Sequence, residues 1–161
     1  MIPLSGGEKD ITAPKVINQS PANAELNFTG NKLIIDFDEY VQLKDIQGQL
    51  IVTPQINYLP EANVKGKRLE LNFKEPLRKE TTYSINFGSS ISDIHEGNVL
   101  QDYNIVFATG SFIDTLSIQG RISDAFTKKS RNDVSVFLYE NGNDSSCFVR
   151  KPDYFAKSDN T

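Results

Sequence analysis

Arg68-Leu69-Glu70-Leu71-Asn72-Phe73 carries apolar side chains at 69, 71 and 73 and polar ones at 68, 70 and 72. Tyr83-Ser84-Ile85-Asn86-Phe87 repeats the pattern. A period of two buries one face of a strand and wets the other. Leu33-Ile34-Ile35-Asp36-Phe37 and Leu50-Ile51-Val52 are short apolar runs rich in β-branched residues, the pattern of sandwich-core strands. Tyr103 to Thr109 adds another strand, with Ile105 and Phe107 inward. Turn clusters at Gly30-Asn31, Lys65-Gly66-Lys67 and 93–98 separate these runs. Helical spacing is confined to single turns expected near Val41–Asp45 and Asp124–Lys128. Short alternating strands punctuated by turns predict an all-β, antiparallel β-sandwich.

The composition agrees. The chain has 161 residues, enough for one domain or two small ones. Hydrophobic residues are 38% and charged residues 24%, which suits a packed core, and no run is long enough to read as a membrane span. Aromatics at 10% argue against disorder. The net charge of −4 leaves no global basic field for nucleic acid or anionic lipid. One Cys and one His exclude an intrachain disulfide, a multi-thiolate zinc site and any site needing two imidazoles. The alternation restarts after Thr109-Gly110. Leu116, Ile118, Gly120 and Ile122 alternate, as do Val134, Val136 and Leu138, while Phe148-Val149 and Tyr154-Phe155 read as two further short strands. A lone core below roughly 70 residues is marginal, so this second block is short for a domain. A boundary is expected near 110–114.

Several motifs carry a resemblance. Ala13-Pro14-Lys15-Val16, Ser20-Pro21-Ala22-Asn23, Leu33 to Val41, Leu77 to Tyr83 and Phe107-Ala108-Thr109-Gly110 occur in that order. Together they resemble the bacterial Ig-like domain of S-layer and cell-surface proteins, over residues 13–110. Asn23-Ala24 departs from that family's Asn-Gly. The resemblance implies an Ig-like antiparallel β-sandwich, with Tyr83 as a structural tyrosine whose ring enters the core while its hydroxyl reaches upstream backbone. Gly120 to Ala125, Val134 to Tyr139 and Pro152 to Asp159 resemble the start of a transthyretin-like or carboxypeptidase-regulatory-like domain. Residues 115–161 would be its N-terminal part, an incomplete second sandwich. Ser5-Gly6-Gly7-Glu8-Lys9-Asp10-Ile11-Thr12-Ala13-Pro14 is similar to the linker after the lipidated Cys of Bacteroidetes-type surface lipoproteins. That likeness makes residues 1–12 a flexible post-anchor linker. It implies an outer-membrane lipoprotein of the cell envelope, periplasmic or surface-exposed, whose anchor Cys lies outside this chain. Met1 to Asp10 itself lacks the basic and apolar regions of a signal peptide.

Few residues suggest chemistry. Asp36, Asp38 and Glu39 put three carboxylates in four positions, with Asp36 and Asp38 on one face if the strand continues. Asp93, Glu96 and Asp102 flank a loop and are calcium candidates, though their spacing is no EF-hand. His95 shares that loop and is expected to be solvated. Cys147 has no catalytic signature around it and is expected in a strand, buried or half-buried. Lys65, Lys67 and Arg68, with Lys128, Lys129 and Arg131, form small basic clusters without aromatic platforms. Asp114-Thr115-Leu116 resembles the O-glycosylation pattern of the same bacterial group, which makes Thr115 a candidate acceptor.

The expectation is a non-catalytic envelope module acting as structural spacer or protein-interaction domain, with no cofactor. The alternative is a carbohydrate-binding or adhesive module, for which exposed aromatics are the missing feature. The partner would be an envelope protein or a glycan, not nucleic acid. Membrane contact would come only through the lipid anchor. An incomplete second sandwich would also expose strand edges that another copy's strands can fill, giving a strand-exchanged homo-oligomer. Size-exclusion chromatography with light scattering is then expected to show mass rising with concentration, and a monomer at every concentration removes the exchange.

Overall fold

The computed structural model describes residues 9–132, 134–140 and 142–158. The lead-in residues 1–8 and Asp159, Asn160 and Thr161 of the C-terminal turn lie outside them. In chain order the first block forms β1 (Val16–Ser20), β2 (Lys32–Phe37), β3 (Val41–Leu43), the helical turn α1 (Ile46–Gln49) and β4 (Ile51–Thr53). β5 (Glu61–Lys65), β6 (Arg68–Asn72), β7 (Thr82–Asn86), β8 (Ile91–Asp93), β9 (Val99–Leu100) and β10 (Asn104–Ala108) follow. One sheet has the order β1-β2-β6-β5 and the other β10-β7-β4, all antiparallel. These are the ABED and CFG sheets of a seven-strand Ig-type sandwich.

The alternation in the sequence explains why the sheets face each other. Leu33, Ile35 and Phe37 of β2 and Leu69 and Leu71 of β6 point inward from one sheet. Val52, Tyr83, Ile85, Ile105 and Phe107 point inward from the other. Phe107 sits at the centre, its ring 4.9 Å from Phe28 edge-on and 5.8 Å from Tyr83 in a stacked arrangement. Burying each such side chain stabilises the fold by about 1.5–3 kcal/mol.

The chain enters through a switch between the sheets. β1 pairs with β2 until Pro21, which has no N–H to donate and ends the ladder. The chain then runs parallel to β10 instead. Ala24 donates its N–H to the Val106 carbonyl at 2.6 Å, Ala108 donates to Glu25 at 2.8 Å, and Phe28 donates to Ala108 at 2.9 Å. The β5–β6 hairpin turns on Gly66-Lys67, with Gly66 at φ +66, a conformation that glycine adopts at no steric cost.

A third small sheet, β3-β8-β9, covers the end of the sandwich where the loops after β2 and β7 emerge. Val41–Asp45 was expected as a helical turn. Val41–Leu43 is instead a strand, because β8 offers it a partner, and the helical turn falls one step later at Ile46–Gln49.

The second block forms less regular structure than its pattern suggests. β11 (Ser135–Leu138) and β12 (Tyr154–Lys157) pair as a hairpin, with Phe137 opposite Phe155 and their rings 5.3 Å apart. The expected strand at 116–122 is absent: Leu116 is 91% exposed and Ile118 81%, with no partner strand among the described residues. Phe148-Val149, expected as a strand, lies in the helical turn α2 (Ser146–Val149). Alternation shows which residues would face inward, but a strand also needs a neighbour to accept its backbone hydrogen bonds. The hairpin leans on the β4 side of the first block. Gln55 donates its N–H to the Asp153 carbonyl at 3.0 Å, and Lys151 Nζ donates to the Asn57 carbonyl at 3.0 Å.

Tyr83 is fully buried, and its hydroxyl accepts the Arg78 N–H at 2.9 Å. Replacing Tyr83 by Phe keeps the ring and strands that donor. Urea unfolding is expected to show a loss of about 1–3 kcal/mol. Phe107→Ala, which opens a cavity between two rings, is expected to cost about 3–5 kcal/mol.

Candidate functional site

The carboxylates of 36–39 do not converge. β2 ends at Phe37, so the strand does not carry Asp36 and Asp38 onto one face. Asp36 pairs with Arg68, its cross-strand neighbour, through bonds of 2.6 and 3.0 Å. That bond holds the Asp36 carboxyl below its ordinary value and raises the Arg68 guanidinium. Asp38 Oδ1 accepts the Lys15 N–H at 2.8 Å and pins the start of β1. Burial pushes the Glu39 carboxyl up, and the charges of Asp93, Asp38, Asp10 and Glu96 add to the effect.

The calcium candidates are likewise separated. Asp93 is fully buried and caps its own loop. Its Oδ1 accepts the N–H of Glu96 at 2.6 Å and of Gly97 at 2.9 Å, while Oδ2 accepts that of Asn98 at 2.8 Å. Burial alone would raise this carboxyl. The bonds from Gly97, Glu96 and Asn98 together outweigh it and hold the carboxyl below its ordinary 3.8. Asp102 stands elsewhere, at φ +48 in the turn before β10. Among the described residues no group of three or more His, Cys, Asp or Glu is arranged to hold a metal ion.

The remaining candidates are scattered. His95 is exposed on the Asp93 loop. Cys147, expected in a strand and at least half-buried, is exposed on α2, because Asn143 to Ser146 turns the chain there through its own hydrogen bonds. Lys67 Nζ donates to the Asp38 carbonyl at 2.7 Å and lies 5.7 Å from the Tyr40 ring centroid. With Arg68 paired to Asp36, that basic cluster is occupied locally. Lys128, Lys129 and Arg131 lie in the second block. Thr115 is exposed in a turn closed by the Leu116 N–H on Asp114 Oδ1 at 2.9 Å. Tyr83 belongs to the core described above.

The sequence reading missed a cleft. Opposite the inward Tyr83, Ile85 and Phe87, the same strand presents Ser84 and Asn86 outward. Asn104 of β10 lies across from Asn86, and Thr53 of β4 across from Ser84. Phe155 and Ala156 of the hairpin face this surface and enclose a cleft of about 820 Å³. The outward half of the alternation was the available signal, since it carries amides and a hydroxyl where the other sheet carries charge.

The family model of the bacterial Ig-like domain matches residues 10–109, and the chain belongs to that family. The sandwich order of the strands is the one such a domain has. Among solved structures, an L,D-transpeptidase from Mycobacterium smegmatis is similar at 16% identity, with a TM-score of 0.42. The match covers 62% of this chain and 41% of that one. No curated protein sequence matches. Ig-like modules of this kind have structural or interaction roles and suit an extracellular or cell-surface setting. No helix among the described residues is long and apolar enough to cross a membrane.

The Asp93 loop has a testable pH dependence. A carboxyl held below 3.8 when folded stabilises the loop fully above that pH, and the contribution is lost as pH falls through the folded value. The protection of the Glu96, Gly97 and Asn98 amides from hydrogen exchange, relative to their intrinsic rates, is expected to be full above pH 3.8 and to decline below it. Asp93→Ala is expected to abolish the protection at every pH.

Proposed function

We propose that this chain is part of a bacterial cell-envelope lipoprotein in which the Ig-like sandwich, residues 13–110, is a non-catalytic spacer or protein-interaction module. The observation that carries the reading is the arrangement of the two chain ends of the sandwich. Its start lies beside the loops that follow β2 and β7: Lys15 bonds Asp38, and Asn98 Nδ2 donates to the Asp10 carbonyl at 3.1 Å. Its last residues lie at the opposite end. Gly110 accepts the Asn27 N–H at 2.8 Å, and Thr109 donates its N–H to Thr81 at 3.0 Å. A module entered at one end and left at the other adds its full length in series. That is what a spacer between an anchor and a distal part needs.

The finer parts of this reading rest on sequence resemblance. The segment Ser5 to Pro14 supports an outer-membrane lipoprotein of the Bacteroidetes type, anchored through a lipidated Cys before residue 1. Residues 1–12 then serve as the post-anchor linker. Residues 115–161 act as the beginning of a transthyretin-like or carboxypeptidase-regulatory-like domain. Its apolar side chains support this, because Val136, Phe137 and Leu138 are each more than 40% exposed and await a covering layer. Thr115 would accept a glycan from an envelope enzyme. The net charge of −4 favours a protein or glycan partner over nucleic acid.

Metabolic labelling with an alkyne fatty acid tests the anchor in cells that express the natural gene. Incorporated label and antibody binding on intact cells are the expected results, while an unlabelled protein in the cytoplasmic fraction overturns the lipoprotein reading. Intact mass of the same material tests Thr115: a glycan mass is expected and is expected to vanish in Thr115→Ala.

A further inference from the structure

The outer faces of the two sheets have opposite chemistry. The β1-β2-β6-β5 sheet turns Lys32, Asp36, Arg68, Glu70, Glu61 and Lys65 outward, interspersed with the uncharged Ile34, Asn63 and Asn72. On the β10-β7-β4 sheet the outward positions are Ile51, Thr53, Thr82, Ser84, Asn86, Asn104 and Val106, with no charged group and five hydrogen-bonding ones among them. The contrast continues across the cleft above this face. Eight of its fourteen lining residues carry an amide or a hydroxyl, and Asp102 is the one charged side chain among the described lining residues. A chain with 24% charged residues would place about three charges on a surface of that size. Such a lining gives an anion nothing to pair with. A protein hot spot, in turn, favours large aromatic and arginine anchors, and this cleft has one aromatic side chain.

The amides are also oriented. Asn104 Oδ1 accepts the Ser84 hydroxyl at 2.9 Å. Asn86 Oδ1 accepts the Gly88 N–H at 2.6 Å, and Gln49 Oε1 accepts the Ser89 N–H at 3.4 Å. With each oxygen occupied from within the protein, each amide presents its NH2 as a donor. Three such donors stand on a rigid sheet and the turn beside it. Phe155 of the hairpin lines the same cleft, its ring 5.3 Å from that of Phe137.

We propose that this cleft binds a neutral glycan. The hydroxyl oxygens of uncharged sugar residues accept from the NH2 groups of Gln49, Asn86 and Asn104, and the apolar face of a pyranose ring stacks on Phe155. Small neutral ligands of this kind are fixed by a few well-placed polar groups in a preformed cleft. The inference is independent of the envelope anchor, since the anchor experiments can fail while the cleft still binds.

The test uses the whole 161-residue chain. Nitrogen-15 NMR follows the side-chain NH2 signals during titration with maltohexaose, cellohexaose, mannohexaose and N-acetylated chitohexaose, with polygalacturonate as the anionic control. At least one neutral oligosaccharide is expected to shift the signals of Gln49, Asn86 and Asn104 together. Asn86→Asp and Asn104→Asp keep the shape and remove the donor, and each is expected to weaken that binding at least tenfold with unchanged thermal unfolding. Phe155→Leu is expected to weaken that binding as well, by removing the stacking surface. The proposal is overturned if no neutral oligosaccharide binds, if polygalacturonate binds better, or if the shifts fall outside the cleft. Binding unaffected by all three variants overturns it as well.

Discussion

The contact of Phe107 with Phe28 on one side and Tyr83 on the other holds the sandwich together. Phe107 lies on the last strand, Tyr83 on its neighbour, and Phe28 on the segment that has crossed over from the first sheet. Burying that cluster fixes three distant parts of the chain at once. It requires the early segment to leave β2 and run along β10, and it requires the loop before β7 to fold back so that Arg78 can reach the Tyr83 hydroxyl. Much of the first block follows from satisfying those two demands.

Charged residues serve this architecture more than chemistry. Asp38 ties the start of β1 to the end of β2, and Asp93 gathers three backbone N–H groups of its loop. Asp36 and Arg68 bridge neighbouring strands. A carboxylate that accepts several internal donors has little remaining capacity for a cation, and one tied to a guanidinium is poorly suited to act as a base. Asp36, Asp38 and Asp93, which first suggest catalysis or calcium, are thus engaged in shaping the sandwich. The outer face of the second sheet, by contrast, carries no charged side chain on its strands.

The two blocks differ in how fully their apolar residues find cover. Before Gly110, ten inward side chains of the two sheets meet across one core. After it, Leu116, Ile118, Phe126 and Phe148 are each more than 80% exposed, and the hairpin gains its support from the edge of the first block. The hydrophobic effect rewards burial against any apolar surface, so a partial layer leans on whatever edge is nearest.

How much was legible in the sequence follows from what alternation can encode. Residues 68–73 and 83–87 determined their own in and out faces, because period two has no other low-energy reading when one face must be buried. The pairing partners were not legible there. Leu116 to Ile122 alternates as well as β7 does and forms no strand, while Val41–Leu43, too short to show a pattern, forms one beside β8. A strand is a relation between segments, and single-chain spacing carries only one side of it. Cys147 is exposed for the same reason, since local hydrogen bonds turn the chain there and no strand among the described residues pairs with it. The cleft needed tertiary structure most of all. Ser84, Asn86 and Asn104 become a surface only when β7 and β10 lie side by side and Phe155, distant in sequence, is brought across from them.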